Sequence, residues 1–255
     1  MGLTREGEET ICREESRGFC SGDRQSGLLV GEAPSRRNEE RTEHRFGDLV
    51  HCWPIKMDLK QLIELCPEFH QDAQGDPISW GIAWDVLRFL ENRLAKGSKT
   101  LETGAGVSTV LFAASGCSHI SITPVAREIA TIREFCERHG IDMSHVQLLE
   151  QRSEYALPAL DLDDLDVVLI DGRHAFPSPF VDWFYGADAL KMGGWMVVDD
   201  THLLTGTILR DFMNEDHNNW RLIADVGNTT FFEKLVATVH LGEWTEQPYI
   251  LNRMP

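Results

Sequence analysis

From residue 80 onward, segments typical of strands alternate along the chain with segments whose apolar residues follow helical spacing. Short segments that we interpret as strands lie at 99–103, 119–123, 145–150, 166–171 and 194–200. Stretches with helical spacing lie between them, at 107–115, 125–140, 180–192 and 204–216. A further helix is predicted over 80–97, ending at Gly97, and residues 220–235 indicate two strands around Gly227-Asn228.

Strands separated by helices predict an α/β protein with a doubly wound, mostly parallel sheet. The terminal pair of strands is most simply an antiparallel hairpin, which brings the sheet to seven strands. The run 166–171 is apolar between its two terminal aspartates, as expected of a strand buried on both faces. Ligands of such sheets bind beyond the carboxyl ends of the strands. We therefore expect the functional site where the first, fourth and fifth strands end.

The chain divides into four predicted regions. Residues 1–56 are rich in Arg, Glu, Gly and Ser without a sustained apolar period, so we expect a disordered N-terminal extension. Met57 is a hypothetical biological start, and 57–98 form a helical cap region in which Asp58 can cap a short helix. Residues 99–235 form the main domain. The tail, 236–255, could pack near the substrate or form the edge of a homodimer.

The acidity of the chain belongs to the part that is predicted to fold. Residues 1–57 hold 9 Lys/Arg and 11 Asp/Glu (−2), and residues 58–255 hold the other 15 and 30 (−15), which gives −17 in total. A surface this negative repels phosphate backbones, so we expect a small-molecule partner and no nucleic acid. The sequence shows no membrane-length apolar run, no apolar signal core and no metal-like cysteine spacing. We therefore expect a cytoplasmic protein without a membrane partner.

A glycine turn follows the first predicted strand in the segment LETGAGVST, residues 101–109. Gly104 and Gly106 allow a tight turn and a close approach to a ligand, although a turn of this kind is often only a turn. A dinucleotide fingerprint would have a third glycine where Thr109 stands, and the carboxylate of Glu102 would repel a pyrophosphate. An acid ahead of the turn instead suits a cationic ligand.

This segment resembles the first motif of the class I S-adenosylmethionine-dependent methyltransferases. VVLIDGRH (167–174) and LKMGGWMVVDD (190–200) are similar to later motifs of the same fold, in the same order. The resemblance extends over about residues 80–235. Within this fold, the sequence resembles the bacterial metal-dependent small-molecule O-methyltransferase-like group. It implies a Rossmann-like methyltransferase fold and S-adenosyl-L-methionine as the cofactor, which carries an ammonium and a sulfonium and no phosphate.

The resemblance also implies a set of cofactor-binding residues. Glu102 would bind the methionine amino group, directly or through water, and Ser108 would donate to the carboxylate, while Gly104 and Gly106 would face the methionine and ribose portion. Two positions depart from the family pattern. Thr123 ends the second strand where an acid usually binds the ribose hydroxyls, and Ser153 lies in the altered third motif, Gln151-Arg152-Ser153. Thr123, Ser153 and Asp171 complete the predicted cofactor site.

Three aspartates follow neighbouring strand ends: Asp171, Asp199 and Asp200. Adjacent parallel strands lie about 4.8 Å apart, so these carboxylates can converge, and converging carboxylates repel unless they are protonated or bind a cation. Oxygen ligands suit Mg²⁺, and the metal-dependent subgroup that the sequence resembles holds its metal at matching positions. The plainer explanation is that each acid caps a following helix.

His174 and His202 follow these acids on predicted loops. Imidazole titrates near neutrality and can remove a hydroxyl proton during methyl transfer, which makes His174, together with Asp171, the predicted catalytic pair. His202 could instead contact metal or substrate. The leading hypothesis is methyl transfer to a hydroxyl of a small molecule. The alternative is a degenerate member of the fold that binds the cofactor or a partner without chemistry.

Overall fold

The protein is described by a computed structural model over residues 58–72 and 74–254. The predicted disordered extension, 1–56, and Met57 lie outside these ranges. The helices are α1 (Leu59–Leu65), α2 (Trp84–Glu91), α3 (Val107–Ala114), α4 (Ala126–Arg138), α5 (Ser153–Ala156), α6 (Ser178–Ala189), α7 (Leu204–Glu215) and α8 (Pro248–Leu251). The strands are β1 (His70–Gln71), β2 (Pro77–Ile78), β3 (Lys99–Thr103), β4 (Ser118–Thr123), β5 (Val146–Glu150), β6 (Leu165–Ile170), β7 (Leu190–Val198), β8 (Trp220–Val226) and β9 (Thr229–Lys234). Within the described ranges, every helix is too short or too polar to cross a lipid bilayer.

Seven of the strands form one sheet in the order β5-β4-β3-β6-β7-β9-β8. The first five of these run parallel, β9 is antiparallel to β7, and β8 is antiparallel to β9. The predicted doubly wound sheet with a C-terminal hairpin is therefore confirmed. The chain builds β3, β4 and β5 outward and then returns to place β6 on the other side of β3. This reversal beside β3 is the switch point at which open α/β sheets bind ligands.

Alternating side chains of the central strands supply two hydrophobic cores. Val167 and Leu169 of β6 join a core with α1, α2, α3 and α4 on one face of the sheet. Val168 and Ile170 join a second core with α5, α6 and α7 on the other face. The continuous apolar run at 167–170 is thus explained, because successive side chains of a strand point to opposite faces and both faces are covered.

The N-terminal cap region contains more than helices. Asp58 caps α1 as predicted, by accepting from the Gln61 backbone N–H (2.8 Å). The antiparallel pair β1–β2 is not predicted by the apolar pattern, since each strand is only two residues long. The helix predicted over 80–97 is wrong at both ends: it spans only Trp84–Glu91. Residues 79–83 instead lie outside regular secondary structure and line the cleft described below.

The C-terminal tail packs on α7. The Tyr249 ring lies 5.9 Å from the Phe212 ring, centroid to centroid, in an edge-to-face arrangement. Arg253 pairs with Glu215 at 2.6 Å, and Asn252 donates to the same carboxylate at 2.7 Å. Of the two roles that the sequence left open, substrate contact and a dimer edge, these contacts show neither and instead give the tail an intramolecular partner.

Candidate active site

A cleft of about 1150 Å³ opens at the carboxyl edge of the sheet. Its lining comes from the segments that follow β3, β4, β5, β6 and β7, from the β8–β9 turn, and from residues 79–83. Small-molecule sites usually enclose about 300–1,000 Å³. The cleft therefore has room for a cofactor and a small acceptor side by side.

The strand register brings the predicted acids to one place. Thr103 of β3 pairs with Ile170 of β6, and Ile170 pairs with Val198 of β7. Asp171 and Asp199 are the next residues, so they leave the sheet side by side. Each is tied to its neighbouring strand by a backbone hydrogen bond of 3.0 Å, from Asp171 N to Thr103 O and from Asp199 N to Ile170 O. The convergence expected from the sequence is present.

Asp171, His174 and Asp200 form a compact cluster. One ligand atom from each of them can be chosen so that all three lie within 4.8 Å of one another. His174 Nε2 lies 2.9 Å from Asp200 Oδ2, and His202 Nδ1 lies 3.5 Å from Asp200 Oδ1. Asp199 is outside the cluster, because its carboxylate accepts from the Thr229 hydroxyl. The predicted metal set of Asp171, Asp199 and Asp200 thus differs from the geometric one, in which His174 takes the place of Asp199.

Asp199 and Asp200 differ because the backbone turns between them. Asp200 adopts a left-handed conformation with φ of 52°, which costs a non-glycine residue about 1–2 kcal/mol. Residues held in such conformations cluster at functional sites. The turn separates two environments: Asp199 bonds back to the β8–β9 hairpin, while Asp200 pairs with histidines of the cleft.

The acids of the cleft have opposite electrostatic surroundings. Poor solvation and the facing Asp199 and Glu102 carboxylates raise the pKa of Asp171 well above its usual value. Burial also raises the pKa of Asp199, against the opposing hydrogen bond from Thr229. The hydrogen bond from His174 lowers the pKa of Asp200. Desolvation and the neighbouring carboxylates therefore disfavour the charged forms of Asp171 and Asp199, while the hydrogen bond from His174 favours the charged form of Asp200.

The glycine turn packs directly on the segment that carries Asp171. Gly104 has φ of +102°, and a Cβ atom there would overlap the Asp171 carbonyl group, 2.9 Å from its carbon. Glycine is required at this position both by its conformation and by its surroundings.

Glu102 lies beneath the same turn and is 1% exposed. Its Oε1 accepts from the Thr109 hydroxyl and from His119 Nε2 (3.2 Å), and Thr109 Oγ1 in turn accepts from the Gly106 N–H (3.0 Å). Its Oε2 is buried and has no hydrogen-bond partner in the described part of the chain. Glu102 is therefore anchored to the turn through Thr109, and its Oε2 remains without a partner among the described residues.

The structure divides the predicted cofactor residues into two groups. Four of them line the cleft: Gly104, Thr123, Ser153 and Asp171. The others are buried and are not part of its lining: Glu102, Gly106 and Ser108. Direct contact of this second group with a ligand stays a prediction. Both predicted catalytic residues, His174 and Asp171, line the cleft.

Glu128 and His70 are among the polar residues of the cleft that sequence reasoning missed. Glu128 lies in the first turn of α4, five residues after Thr123, so a search for acids just beyond the second strand could have found it. His70 lies on β1, far from any motif, and no local signal points to it. Their Nδ1–Oε1 separation is 2.8 Å although 58 residues separate them in sequence.

A buried carboxylate lies on α6 near Thr103 and Ser153. Asp182 is 1% exposed, and neither of its oxygens has a hydrogen-bond partner of normal geometry among the described residues. Burial raises its pKa from 3.8 to about 6, although the Ser153 and Thr103 hydroxyls oppose the shift.

We expect Asp182→Asn to stabilise the protein at neutral pH. Between pH 3.8 and about 6 the folded state holds this proton and the unfolded state does not. Stability that is fully present below that window is therefore lost as pH rises through it. Two pKa units correspond to about 3 kcal/mol. In urea unfolding, the advantage of Asp182→Asn over wild type should grow by about that amount between pH 4 and pH 7.5, and a difference that does not change with pH would contradict this account.

The comparisons with known proteins agree with this architecture. Residues 101–201 match the family model described as a methyltransferase domain. No curated protein matches the chain significantly. Three similar solved structures are a cofactor-bound protein from MTB (18% identity, 64% of this chain and 84% of that one, TM-score 0.53), a protein from Corynebacterium glutamicum (13%, 63% and 85%, 0.52) and a candidate caffeoyl-CoA O-methyltransferase from Staphylococcus aureus (11%, 60% and 85%, 0.50).

At these identities the likeness to solved structures concerns the fold alone. The family match covers the glycine turn, Asp171 and both acids after β7. The matched segment, residues 101–201, is thus similar to methyltransferase domains, and the similar solved structures share its fold.

Proposed function

We propose that the protein transfers a methyl group from S-adenosylmethionine to a hydroxyl of a small molecule. The observation that carries the proposal is the cluster of Asp171, His174 and Asp200 in a cleft that the glycine turn also lines. The cluster offers groups that can activate an oxygen, and the turn offers a place for the methyl donor. The protein's contribution is then mainly positioning and electrostatics.

The cleft fits this cofactor in two respects. Gly104 brings bare backbone to the ligand side of the turn, where any side chain would collide with Asp171. The buried and unpartnered Oε2 of Glu102 lies under the same turn and suits a nearby ammonium group or a bridging water. Gly104, Ser153 and Asp171 would hold the cofactor from the cleft side, and Glu102 from below. A pyrophosphate would meet carboxylates here, which argues against a dinucleotide.

His174 is the residue that we propose to accept the proton of the acceptor hydroxyl. Its Nε2 donates to Asp200 at 2.9 Å, so Asp200 fixes the orientation of the ring. In the neutral ring this leaves Nδ1 as the proton acceptor. The arrangement is a base whose ring is oriented by a carboxylate.

A divalent cation is the second way in which the same cluster could activate the acceptor. Asp171, Asp200 and His174 supply two oxygen ligands and one imidazole, a set that suits Mg²⁺ or, because of the imidazole, Mn²⁺. A cation held there would supply Lewis acidity toward the acceptor hydroxyl. The raised pKa values of Asp171 and Asp199 support the proposal, since crowded carboxylates ionise together only beside positive charge.

Chelation distinguishes activation of the acceptor by a bound cation from activation by His174 as a base. If a cation takes part, EDTA should lower turnover by roughly 100-fold or more, and Mg²⁺ or Mn²⁺ should restore it. Product formation would be measured as S-adenosylhomocysteine release with a panel of catechols, sugars and polyketides as acceptors. Affinity for S-adenosylhomocysteine serves as the control and should stay the same. Full turnover in EDTA would reject the cation and leave His174 as the base.

A protein that binds the cofactor without chemistry is the alternative, and the altered second and third motifs favour it. Binding of S-adenosylhomocysteine without turnover of any acceptor in that panel would support this alternative. We propose a small-molecule ligand rather than a nucleic acid in either case, because residues 58–255 carry a net charge of −15 (15 Lys/Arg against 30 Asp/Glu) and would repel a nucleic acid.

A further inference from the structure

Thr123 ends β4 with its hydroxyl already engaged. The hydroxyl donates to Glu128 Oε2 at 2.7 Å and accepts from the Val125 backbone N–H at 3.2 Å. A hydroxyl has a single proton, so Thr123 has none left for a ligand. Its contact with Glu128 makes it a positioning residue for that carboxylate rather than a substitute for the missing strand-end acid.

Glu128 brings a carboxylate to the same corner of the cleft from α4. The residue lines the cleft and is 9% exposed, so its carboxylate is held by the protein rather than by bulk water. Oε2 accepts from Thr123, and Oε1 accepts from His70 Nδ1 at 2.8 Å. Each carboxylate oxygen has two lone pairs. One acceptor site therefore remains on each oxygen, which is what a pair of adjacent hydroxyls can use.

His70 reaches this corner from outside the segment that matches the family model, residues 101–201. It lies on β1, and a Cβ atom on Gly106 would lie 3.3 Å from its Nε2, so the β1–β2 hairpin rests on the glycine turn. The Trp80 ring is 6.3 Å away, centroid to centroid, and lines the same wall. The hairpin thus holds Glu128 from the side opposite Thr123.

We propose that Glu128, held in place by Thr123 and His70, binds the two ribose hydroxyls of the cofactor. The inference rests on the proposed function, since it needs an adenosine in the cleft. It makes Glu128 a binding residue and His70 a positioning residue. It also gives the β1–β2 hairpin a role in cofactor binding. The plainer explanation is that His70 and Glu128 only fasten the hairpin to α4.

The test measures binding of two ligands to the full chain by calorimetry: S-adenosylhomocysteine and its 2′,3′-dideoxyribose analogue. Glu128→Gln should weaken the binding of S-adenosylhomocysteine roughly 10- to 100-fold, as expected for the loss of a hydrogen bond to a charged group. The dideoxy analogue lacks the ribose hydroxyls, so its affinity should change less than about threefold. Glu134→Gln is the matched control, because Glu134 is an exposed acid on the same helix, and it should affect neither ligand.

His70 gives an independent arm. His70→Phe removes the donor to Glu128 and should weaken S-adenosylhomocysteine but not the dideoxy analogue, and His70→Asn, which restores a donor near the Nδ1 position, should recover most of the loss. Equal weakening of both ligands by Glu128→Gln, or no weakening of either, would overturn the inference and leave the proposed function intact. Absence of S-adenosylhomocysteine binding by the wild-type chain would overturn both.

Discussion

Replacing His174 with glutamine is expected to slow methyl transfer by roughly 10²- to 10⁴-fold, the usual contribution of a positioned general base. The loss follows whether His174 removes the hydroxyl proton or helps to hold a cation, because both roles use the imidazole beside Asp171 and Asp200. Affinity for S-adenosylhomocysteine should stay within about twofold, since the imidazole acts on the acceptor rather than on the cofactor. Turnover and calorimetric binding together check both statements.

The chain offers a matched control for this substitution. His145 also pairs with a carboxylate, Asp142, at 3.0 Å, but it is partly exposed and precedes β5, at the opposite edge of the sheet from the cleft. His145→Gln should leave turnover unchanged. A His174→Gln protein with near-normal turnover would remove His174 from the chemistry and contradict the proposed role of the cluster.

The second large effect is expected from Gly104→Ala. The added Cβ would overlap the Asp171 carbonyl group, and the backbone is in a conformation that side chains disfavour. Overpacking and left-handed strain together should lower the free energy of unfolding by about 3 kcal/mol. The turn and Asp171 must also move apart, and displacing positioned groups by about 1 Å can cost roughly 100-fold in rate. Urea unfolding and turnover measure the two effects.

Gly140→Ala isolates the strain from the clash. Gly140 has φ of +65°, and a Cβ atom there would meet nothing within 4 Å. This variant should lose only about 1–2 kcal/mol of stability and keep full turnover. If Gly104→Ala were no worse than Gly140→Ala in either measurement, the close packing of the turn on Asp171 would not matter to the site.

The sequence predicted the parts of the fold that depend on local periodicity. The strands at 99–103, 118–123, 146–150 and 165–170 lie within a residue of their predicted positions. The ends of α2 were harder to place. Trp80 and Ile82 continue the helical spacing of the apolar residues, yet they lie outside the helix and line the cleft. Tertiary contacts override local pattern there.

The site was predictable where strand order decides it and hidden where distant segments meet. The convergence of Asp171 and Asp199 follows from two adjacent parallel strands ending together. The observed cluster contains His174 in place of the predicted Asp199. We attribute this difference to the left-handed backbone at Asp200, which the sequence pattern does not predict. The pairing of Glu128 with His70 joins a helix to a two-residue strand 58 positions away, and only the folded chain shows it.

The most direct measurement is a calorimetric titration of the full chain with S-adenosylhomocysteine and, in parallel, with NAD⁺. We propose that the glycine turn, with its acidic neighbour, accepts a phosphate-free ligand with a cationic amino group and repels a pyrophosphate. We therefore expect one-to-one binding of S-adenosylhomocysteine with a Kd of roughly 1–100 µM, in the range common for enzyme ligands, and no binding of NAD⁺. Binding of NAD⁺ with no binding of S-adenosylhomocysteine would contradict it.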